Sequence, residues 1–568
     1  MFRHLEEVKQ SKEFSYCKDL GYTDSQAVTF TLLDYVSSRM RQIGHAYSGQ
    51  DNLSFSEYVE KYYFDRDYQP TMPEERPAGR PFVRYACLMT PSDITHSVRY
   101  DDADVAVNSG VSAKIIGSVR RPVVSHAGAP AETYERPVRT DSYAPIRSRG
   151  WRDTDTSPAA VFKPTHNSAA AGIIAANIRA GEKTRPSMVR TEELLNYMSY
   201  DLKQPDGTKF ELTKEILRTE DDTWLFLGVQ GEHVCPGRKN ICLLLDVSGS
   251  MMGRETCITG VTAAILAGMN PGDVLSLVTY ADEDRTMIRS LRLDDTKNIE
   301  QILEVLSQIR ISGCTNGSAG LNRAYEIIGE NHISDGVNRV IIVTDGDFNF
   351  GTFDNDSLTD FIRKKRETGA YFSVIGTGIY NIQDDRLEML AENGNGNYFA
   401  VNSLEDVERA VRSNYEALMY PIAKNVKAMV EFNPNRISKW KLTGYENRML
   451  EYEEFRDNNV TADPFGSGAY FIGLFRVKTL KGKTSGHKLK YRNYIPVNSS
   501  DLGTLTLRYE DIGDGTFREI EFPITDEETP TENVRRAVKC AMQAQKFRDD
   551  QEDELARREI MRLVKSQW

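Results

Sequence analysis

Three short stretches of the chain carry acidic and hydroxyl side chains at spacings that could bind a metal ion. The stretch DVSGS places Asp246, Ser248 and Ser250 at alternate positions, so a tight turn would direct all three toward one point. Thr315 lies in a second stretch, SGCTNGSAG, and Asp345 opens a third, DGDFNFG. All five side chains offer oxygen, and none is a histidine or cysteine of the kind that zinc commonly takes. Oxygen ligands favour Mg²⁺ or Mn²⁺, so these five residues form a predicted metal site.

The sequence also predicts the elements that would bring these residues together. The apolar run ICLLL ends directly before Asp246, as expected for a strand that is covered on both faces. Similar runs in DVLSLVTY, RVIIVT and YFSVIGT alternate with helical patterns, which is typical of a doubly wound, mostly parallel sheet. Ligands bind at the carboxyl ends of the strands in such sheets. We therefore expect a Rossmann-like α/β domain over residues 239–420, with the predicted site at one edge of its sheet.

The rest of the chain has a different pattern of apolar and polar residues from this α/β segment. Alternating apolar positions after it, such as Leu505, Leu507 and Tyr509, indicate half-buried antiparallel strands, and two more β-like stretches precede it. We therefore expect an antiparallel β-sandwich into which the α/β domain is inserted. The final helix carries an apolar stripe that should dock on this sandwich, formed by Val534, Ala537, Val538 and Ala541. The predicted organisation is a helical module at 1–66, a Pro-rich, disordered linker at 67–165, helices and sandwich strands at 166–238, the α/β domain at 239–420, the remaining sandwich strands at 421–528 and a charged helix at 529–568.

Composition narrows the classes of function. The formal net charge of −12 over 568 residues argues against non-specific binding to nucleic acid, which depends on clustered Lys and Arg. The 7 cysteines are dispersed without a C-x-x-C pair, which indicates reduced thiols. The N-terminal sequence MFRHLEEVKQ has no apolar signal core, and no window approaches the ~18 apolar residues of a transmembrane segment. We therefore expect a cytoplasmic protein.

The three stretches resemble a known metal site. DVSGS, the loop of Thr315 and TDGD match, in order, the metal ion-dependent adhesion site (MIDAS) of von Willebrand factor type A (VWA) domains. More narrowly, EELLNYMSYD, GVNRVIIVTDGDFNFG and VEFNPNRISKWKLTGYENR resemble the bacterial YfbK-like VWA proteins, over about residues 165 to 525. The resemblance implies that Ser248, Ser250 and Thr315 contact the metal and that Asp246 and Asp345 act through water. It also implies a non-enzymatic protein-interaction role, in which an aspartate or glutamate of a partner protein completes the metal coordination.

Two other hypotheses stay open from the residues alone. The first is a metal-dependent hydrolase or phosphotransferase that uses Asp246 as the nucleophile at a strand end. A haloacid dehalogenase-like enzyme would carry a second acid two residues later, where this chain has Ser248, and no lysine stands in a matching motif. The second alternative is a structural scaffold whose metal site is idle. The presence of all five ligand types favours a working metal site over both alternatives, and we predict an adhesion or scaffold protein rather than an enzyme.

Overall fold

The computed structural model describes most of the chain from residue 139 onward. The described ranges are 139–147, 149–220, 222–234, 237–270, 272–293, 309–314, 317–346, 355–412, 414–480, 500–527 and 530–549, with a few single residues and short pieces outside them. The predicted helical module at 1–66, apart from Ser15, and residues 67–138 of the predicted linker lie outside the described residues. Thr315, one of the five predicted metal ligands, also lies outside them.

The described chain contains both strands and helices, and the two alternate through its central part. The strands are β1 (Arg152–Asp153), β2 (Ala159–Phe162), β3 (Phe210–Arg218), β4 (Thr223–Gly231), β5 (Lys239–Asp246), β6 (Val274–Tyr280), β7 (Asp284–Arg292), β8 (Val337–Thr344), β9 (Ala370–Gly376), β10 (Tyr398–Ala400), β11 (Pro421–Phe432), β12 (Ile437–Thr443), β13 (Met449–Leu450), β14 (Phe465–Gly466), β15 (Tyr470–Thr479), β16 (Gly503–Asp511) and β17 (Phe517–Ile524). The α-helices are α1 (Ala169–Arg179), α2 (Thr191–Tyr197), α3 (Glu255–Ala267), α4 (Gly317–Glu330), α5 (Asn355–Glu367), α6 (Asp384–Asn393), α7 (Leu404–Val407), α8 (Tyr415–Met419) and α9 (Glu532–Asp549).

A mostly parallel sheet forms the α/β domain, as the sequence predicts. Its strand order is β10-β9-β8-β5-β6-β7, and each neighbouring pair is parallel except β6 and β7. Every residue of β5 is buried because apolar side chains cover both faces of the sheet. Leu244 belongs to the core on one face, and Leu243 belongs to the core on the other. Since β5 and β8 are parallel neighbours, the residues that follow them meet at one edge of the sheet.

Strand β7 differs from the pattern of buried, parallel strands that the sequence predicts. It returns antiparallel to β6 at the edge of the sheet, with shifts in register along the pair. Most of its residues are charged or exposed, and only Ile288 is fully buried. Such an edge strand lacks the continuous apolar run that marks the buried strands, so the pattern of apolar residues does not reveal it.

Two antiparallel sheets form the predicted β-sandwich. One sheet has the order β1-β12-β15-β4-β3, and the other has the order β13-β2-β11-β16-β17, with β14 paired to β11. Strand β4 precedes the α/β domain in sequence and pairs with β15, which follows it. The α/β domain is therefore inserted between strands of one sheet. The core between the sheets is rich in aromatic rings, among them Phe162, Phe210, Trp440 and Phe475.

The linker prediction is wrong at its C-terminal end. Strand β2 lies within the predicted linker at residues 67–165, yet it pairs with β11 and its Val161 and Phe162 are buried. Strand β1, in the same segment, pairs with β12. The error has a physical cause: β2 is a run of only four residues, AAVF, among prolines and arginines, and its partner strand is far away in the sequence.

The C-terminal helix α9 packs against the sandwich through its predicted stripe. Val534, Ala537, Val538 and Ala541 are all buried in a core that also contains side chains of α1, α2 and β4. The carboxylate of Glu215 on β3 accepts hydrogen bonds from the backbone N–H groups of Thr531 and Val534, at 2.9 and 3.3 Å. An acidic group at a helix N-terminus stabilises the helix because it satisfies N–H groups that have no partner within the helix. Within the part of the chain that the structure describes, no helix has the length and apolarity needed to cross a membrane.

Candidate metal centre

Asp246 is the last residue of β5 and lies at the bottom of the candidate site. Its side chain is fully buried, and each carboxylate oxygen accepts hydrogen bonds. The backbone N–H and the hydroxyl of Ser248 donate to Oδ1, at 3.0 and 2.6 Å. The hydroxyls of Tyr280 and Thr344 donate to Oδ2, at 3.0 and 2.8 Å. Four donors from three strand ends therefore hold this carboxylate in one orientation.

Ser248 and Ser250 lie above Asp246 on a tight turn. Their hydroxyl oxygens are 3.1 Å apart, and the single helical turn Gly249–Met251 brings them together. Ser248 is buried and Ser250 is partly exposed, so the pair leads from the buried carboxylate to the surface. Because the Ser248 hydroxyl donates its proton to Asp246, Ser250 is the donor between the two serines, and one lone pair of the Ser248 oxygen is available to a cation.

The loop that leads to Thr315 is attached to this turn. The N–H of Gly249 donates to the carbonyl of Gly313 at 3.0 Å, and the N–H of Ser312 donates to the carbonyl of Val247 at 2.9 Å. A Cβ at position 249 would lie 3.2 Å from the Gly313 oxygen, and Gly313 itself has φ +89. Glycine at position 249 allows the two backbones to approach closely, and glycine at position 313 allows the positive φ of the loop. The residues before Thr315 thus adjoin the two serines, although Thr315 itself is not among the described residues.

Asp345 follows β8 at the same edge of the sheet. It is fully buried, and the side-chain amide of Asn381 donates to its Oδ2 at 2.6 Å. Its carbonyl accepts the N–H of Gln383 at 3.1 Å. The structure therefore brings four of the five predicted residues, Asp246, Ser248, Ser250 and Asp345, to one edge of the sheet.

The electrostatics of Asp246 suit a bound cation. Its burial, and then the negative charge of Asp345, raise the pKa of Asp246 to about 6. Every group that donates to its carboxylate is a neutral hydroxyl or amide, and no Lys or Arg among the described residues forms an ion pair with it. A buried carboxylate without a cationic neighbour is costly in free energy, and a divalent ion would remove that cost.

The donor types fit a hard cation and do not fit zinc. Carboxylate and hydroxyl oxygens are ligands that Mg²⁺ and Mn²⁺ prefer. Within the described ranges, no group of three or more His, Cys, Asp or Glu side chains is placed to hold a metal. The candidate site depends instead on the two serine hydroxyls beside two carboxylates, so its residues fit Mg²⁺ or Mn²⁺.

Three residues of the site are absent from the sequence prediction. Tyr280 and Thr344 orient Asp246, and Asn381 orients Asp345. Tyr280 and Thr344 are the last residues of β6 and β8, so the rule that sites form at the carboxyl ends of strands could have indicated them. Asn381 lies in an irregular loop, GTGIYN, whose spacing carries no signal of a site.

Comparisons with known proteins agree with this fold. The von Willebrand factor type A domain model matches residues 240–413, the model "Uncharacterized protein YfbK, C-terminal" matches residues 417–567, and a von Willebrand factor model matches residues 137–222. The chain is 31% identical to the uncharacterized protein YfbK of Escherichia coli (strain K12) over 387 residues, which are 64% of this chain and 66% of that protein. It is 29% identical to inter-alpha-trypsin inhibitor heavy chain H3 of Mesocricetus auratus over 218 residues, 37% of this chain and 24% of that protein.

Solved structures give more distant similarities. The von Willebrand factor type A protein from Catenulispora acidiphila is 16% identical with a TM-score of 0.36, over 59% of this chain and 78% of that chain. The ArnB paralog VWA2 from Sulfolobus acidocaldarius is 13% identical with a TM-score of 0.29, over 63% of this chain and 91% of that chain. The chain spans just under two thirds of the length of YfbK and about a quarter of the length of the Mesocricetus auratus protein. The chain therefore contains a von Willebrand factor type A domain, followed by a region that matches the YfbK C-terminal family model, and it is similar to YfbK.

Proposed function

We propose that this protein is a metal-dependent protein-interaction module, either an adhesion protein or a scaffold. Its MIDAS-like site would hold Mg²⁺ or Mn²⁺ and bind an aspartate or glutamate side chain of a partner protein. The observation that carries the proposal is Asp246, a fully buried carboxylate with no ion pair among the described residues and with two serine hydroxyls leading from it to the surface. Ser248, Ser250 and Thr315 would contact the cation, and Asp246 and Asp345 would act through water.

The chemistry of the donors indicates what kind of partner group would bind. Two hydroxyls are neutral, and the two carboxylates are held deep in the site by protein hydrogen bonds. A divalent cation in this environment keeps part of its positive charge and prefers an oxygen anion at an open coordination position. A carboxylate from another protein supplies that oxygen, and a single such contact in a partly desolvated site adds strongly to specificity.

The hydrolase alternative is less well supported. A nucleophilic carboxylate needs one oxygen that can reach the substrate. In Asp246 both oxygens accept hydrogen bonds, from Ser248 on one side and from Tyr280 and Thr344 on the other, and the side chain has no exposed surface. A substrate would have to displace these donors to reach the carboxylate. We therefore propose that Asp246 orients the metal and its bound water and has no catalytic role.

The first experiment measures metal binding and partner binding in the full chain. Mn²⁺ is titrated and followed by electron paramagnetic resonance, and partners are captured from an extract of the source cells in Mg²⁺ and in EDTA. Ser248→Ala should weaken Mn²⁺ binding at least tenfold and release the partners that EDTA also releases. Ser276→Ala is the matched control, because Ser276 is an equally buried serine of the same sheet, on β6.

The outcomes of this experiment separate the hypotheses. Loss of one partner both in EDTA and in Ser248→Ala supports the metal-dependent module and identifies its ligand. Mn²⁺ binding with partners that are indifferent to metal supports the scaffold with an idle site. Equal Mn²⁺ affinity in Ser248→Ala and Ser276→Ala would contradict the metal site itself.

A further inference from the structure

A short segment upstream of the sandwich lies against the loop that borders the candidate metal site. We call residues 139–142 the clamp segment and residues 379–384 the site loop. The N–H groups of Thr140 and Asp141 both donate to the carbonyl of Tyr380, at 2.8 and 3.1 Å. The N–H of Ser142 donates to the carbonyl of Ile382 at 3.0 Å. The N–H of Asp384 returns a bond to the carbonyl of Ser142 at 3.1 Å, so the two backbones are joined like a pair of parallel strands.

Side chains strengthen this backbone pairing. The Arg139 guanidinium donates to the carbonyl of Ile379 at 2.8 Å and to the side-chain oxygen of Asn177 at 3.0 Å. The amide of Gln383 donates to the carbonyl of Thr140 at 2.8 Å, and its oxygen accepts the Ser142 hydroxyl at 2.9 Å. These contacts tie the clamp segment both to the site loop and to helix α1.

Asp141 of the clamp segment forms two ion pairs, one within the segment and one to Arg185 outside it. Asp141 is buried, and its carboxylate pairs with Arg139 at 2.7 Å and with Arg185 at 3.0 Å. Arg185 lies outside the segment and holds this buried carboxylate, so its ion pair fixes the segment to the residues before helix α2. The site loop therefore has a firm support on the side away from the metal site.

The opposite side of the site loop contacts the metal site directly. The Asn381 amide donates to Asp345 Oδ2 at 2.6 Å, and the N–H of Gln383 donates to the Asp345 carbonyl at 3.1 Å. Gln383 thus contacts the clamp segment through its side chain and Asp345 through its backbone. Asp345 is therefore hydrogen-bonded to a loop whose other side is hydrogen-bonded to residues 140–142.

We propose that the clamp segment is a positioning element of the metal site and couples that site to the chain preceding residue 139. This inference rests on the proposed metal-binding function and adds a mode of regulation to it. The docked segment holds Asn381 against Asp345, and its release lowers the affinity for the cation. Because coupling between two binding events is reciprocal, the cation also strengthens the docking of the segment. Any partner that pulls on or binds the preceding residues would therefore change the affinity of the site.

One test measures this coupling in the unmodified full chain. Hydrogen exchange is followed by mass spectrometry over residues 139–142 and 379–384, in Mg²⁺ and in EDTA. The expected result is slower exchange of the N–H groups of Thr140, Asp141 and Ser142 in Mg²⁺, since these groups exchange only when the segment opens. The same comparison in Ser248→Ala should show no effect of Mg²⁺. Equal exchange in Mg²⁺ and EDTA in the unmodified chain, at Mg²⁺ concentrations that occupy the site, would overturn the proposal.

A second test uses variants of the clamp contacts. Gln383→Ala removes two contacts to the clamp segment and leaves the backbone bond to Asp345 in place, and Arg139→Gln weakens the bond to Ile379. Each should raise the Mn²⁺ dissociation constant about tenfold, as changes in groups that support metal ligands commonly do. Gln545→Ala is the matched control, because among the described residues the side chain of Gln545 forms its hydrogen bond with Asp549 of the same helix. The thermal midpoint of each variant is measured to detect misfolding.

The two proposals fail in distinguishable ways. If Ser248→Ala abolishes Mn²⁺ binding while Gln383→Ala and Arg139→Gln bind like Gln545→Ala, the clamp proposal is wrong and the metal site stands. If Ser248→Ala binds Mn²⁺ like the unmodified chain, the metal site is wrong and the clamp proposal falls with it.

Discussion

The hydroxyl of Tyr280 lies 3.0 Å from Oδ2 of Asp246, and both side chains are fully buried. Tyr280 ends β6 and Asp246 ends β5, so this bond joins two neighbouring parallel strands at the edge that holds the candidate metal site. Burial, and then the negative charge of Asp246, raise the pKa of the Tyr280 hydroxyl well above its usual range. The hydroxyl therefore stays protonated and remains a donor to Asp246 at physiological pH.

The first prediction concerns this bond. Tyr280→Phe keeps the ring in the core and removes one donor from the Asp246 carboxylate, so the pKa of Asp246 should rise further and the carboxylate should lose its fixed orientation. We expect Mn²⁺ affinity to fall about tenfold and the free energy of unfolding to fall by about 1 to 2 kcal/mol. Tyr325→Phe is the matched control, because Tyr325 is buried in the same domain and its hydroxyl has no hydrogen-bond partner among the described residues. Similar Mn²⁺ affinities in the two variants would contradict a role for Tyr280 in the site.

The second prediction is a dependence of metal affinity on pH. The pKa of Asp246 in the metal-free protein is about 6, raised by burial and by Asp345, so a proton competes with the cation below pH 6. Mn²⁺ affinity should fall about tenfold per pH unit below 6 and level off above it. Titrations from pH 5 to pH 8 would measure this slope. An affinity that stays constant over this range would show that Asp246 does not take part in binding.

The raised pKa of Asp246 also predicts how the stability of the metal-free protein depends on pH. Metal affinity should increase with pH, whereas this stability should decrease. The folded-state pKa of Asp246 lies above its value of about 4 in an unfolded chain, so between pH 4 and pH 6 the folded protein binds more protons. The contribution of Asp246 to the free energy of unfolding therefore decreases as pH rises through this window, by up to about 3 kcal/mol. Urea unfolding in EDTA, compared with Asp246→Asn, would isolate this contribution. Saturating Mg²⁺ should restore the free energy of unfolding that is lost near pH 6.

Parts of the site could be predicted from sequence because local patterns determine them. Asp246 and Asp345 each directly follow an apolar run, and buried parallel strands place such residues at one edge of a sheet. Ser248 and Ser250 follow Asp246 within one turn, so their proximity needs no long-range contact. The central sheet was predictable for the same reason, since most of its strands are continuous apolar runs.

Other parts depend on contacts between distant segments. Asn381 reaches Asp345 from a glycine-rich loop that is 36 residues away in sequence, and this loop is hydrogen-bonded to the clamp segment at 139–142. Strand β2 is a four-residue run whose pairing with β11 crosses the whole α/β domain. Neither short segment has a periodicity that distinguishes it from a turn or a linker, so tertiary contacts decide its structure.

The third prediction concerns the attachment of the C-terminal helix. Glu215 is buried on β3, and its carboxylate accepts bonds from the backbone of Thr531 and Val534 and from the side chain of Asn533, the last at 3.0 Å. Glu215→Ala leaves these buried donors without an acceptor, so we expect the free energy of unfolding to fall by about 2 to 3 kcal/mol. Glu211→Ala, on the same strand and partly exposed, should change it by less than about 0.5 kcal/mol. Urea unfolding would measure both values, and equal values would contradict a capping role for Glu215.

The fourth prediction tests whether the metal edge is the surface that a partner contacts. Met252 follows the turn that carries Ser248 and Ser250, and its side chain is 38% exposed. Methionines at such positions adapt their shape to a partner surface, and burying one adds to affinity. Met252→Ala should therefore weaken capture of the Mg²⁺-dependent partner several-fold, because Met252 follows the turn of the two serines and supplies no oxygen ligand to the site. Mn²⁺ affinity and the thermal midpoint should not change.

Met542→Ala provides the control for this fourth prediction. Met542 lies on helix α9 and is 58% exposed, so its loss removes a similar apolar side chain from a different element. Partner capture by this variant should match the unmodified chain. If Met542→Ala weakens capture and Met252→Ala does not, the partner contacts the surface around α9, and the dependence on metal would have to act through the fold rather than through direct coordination.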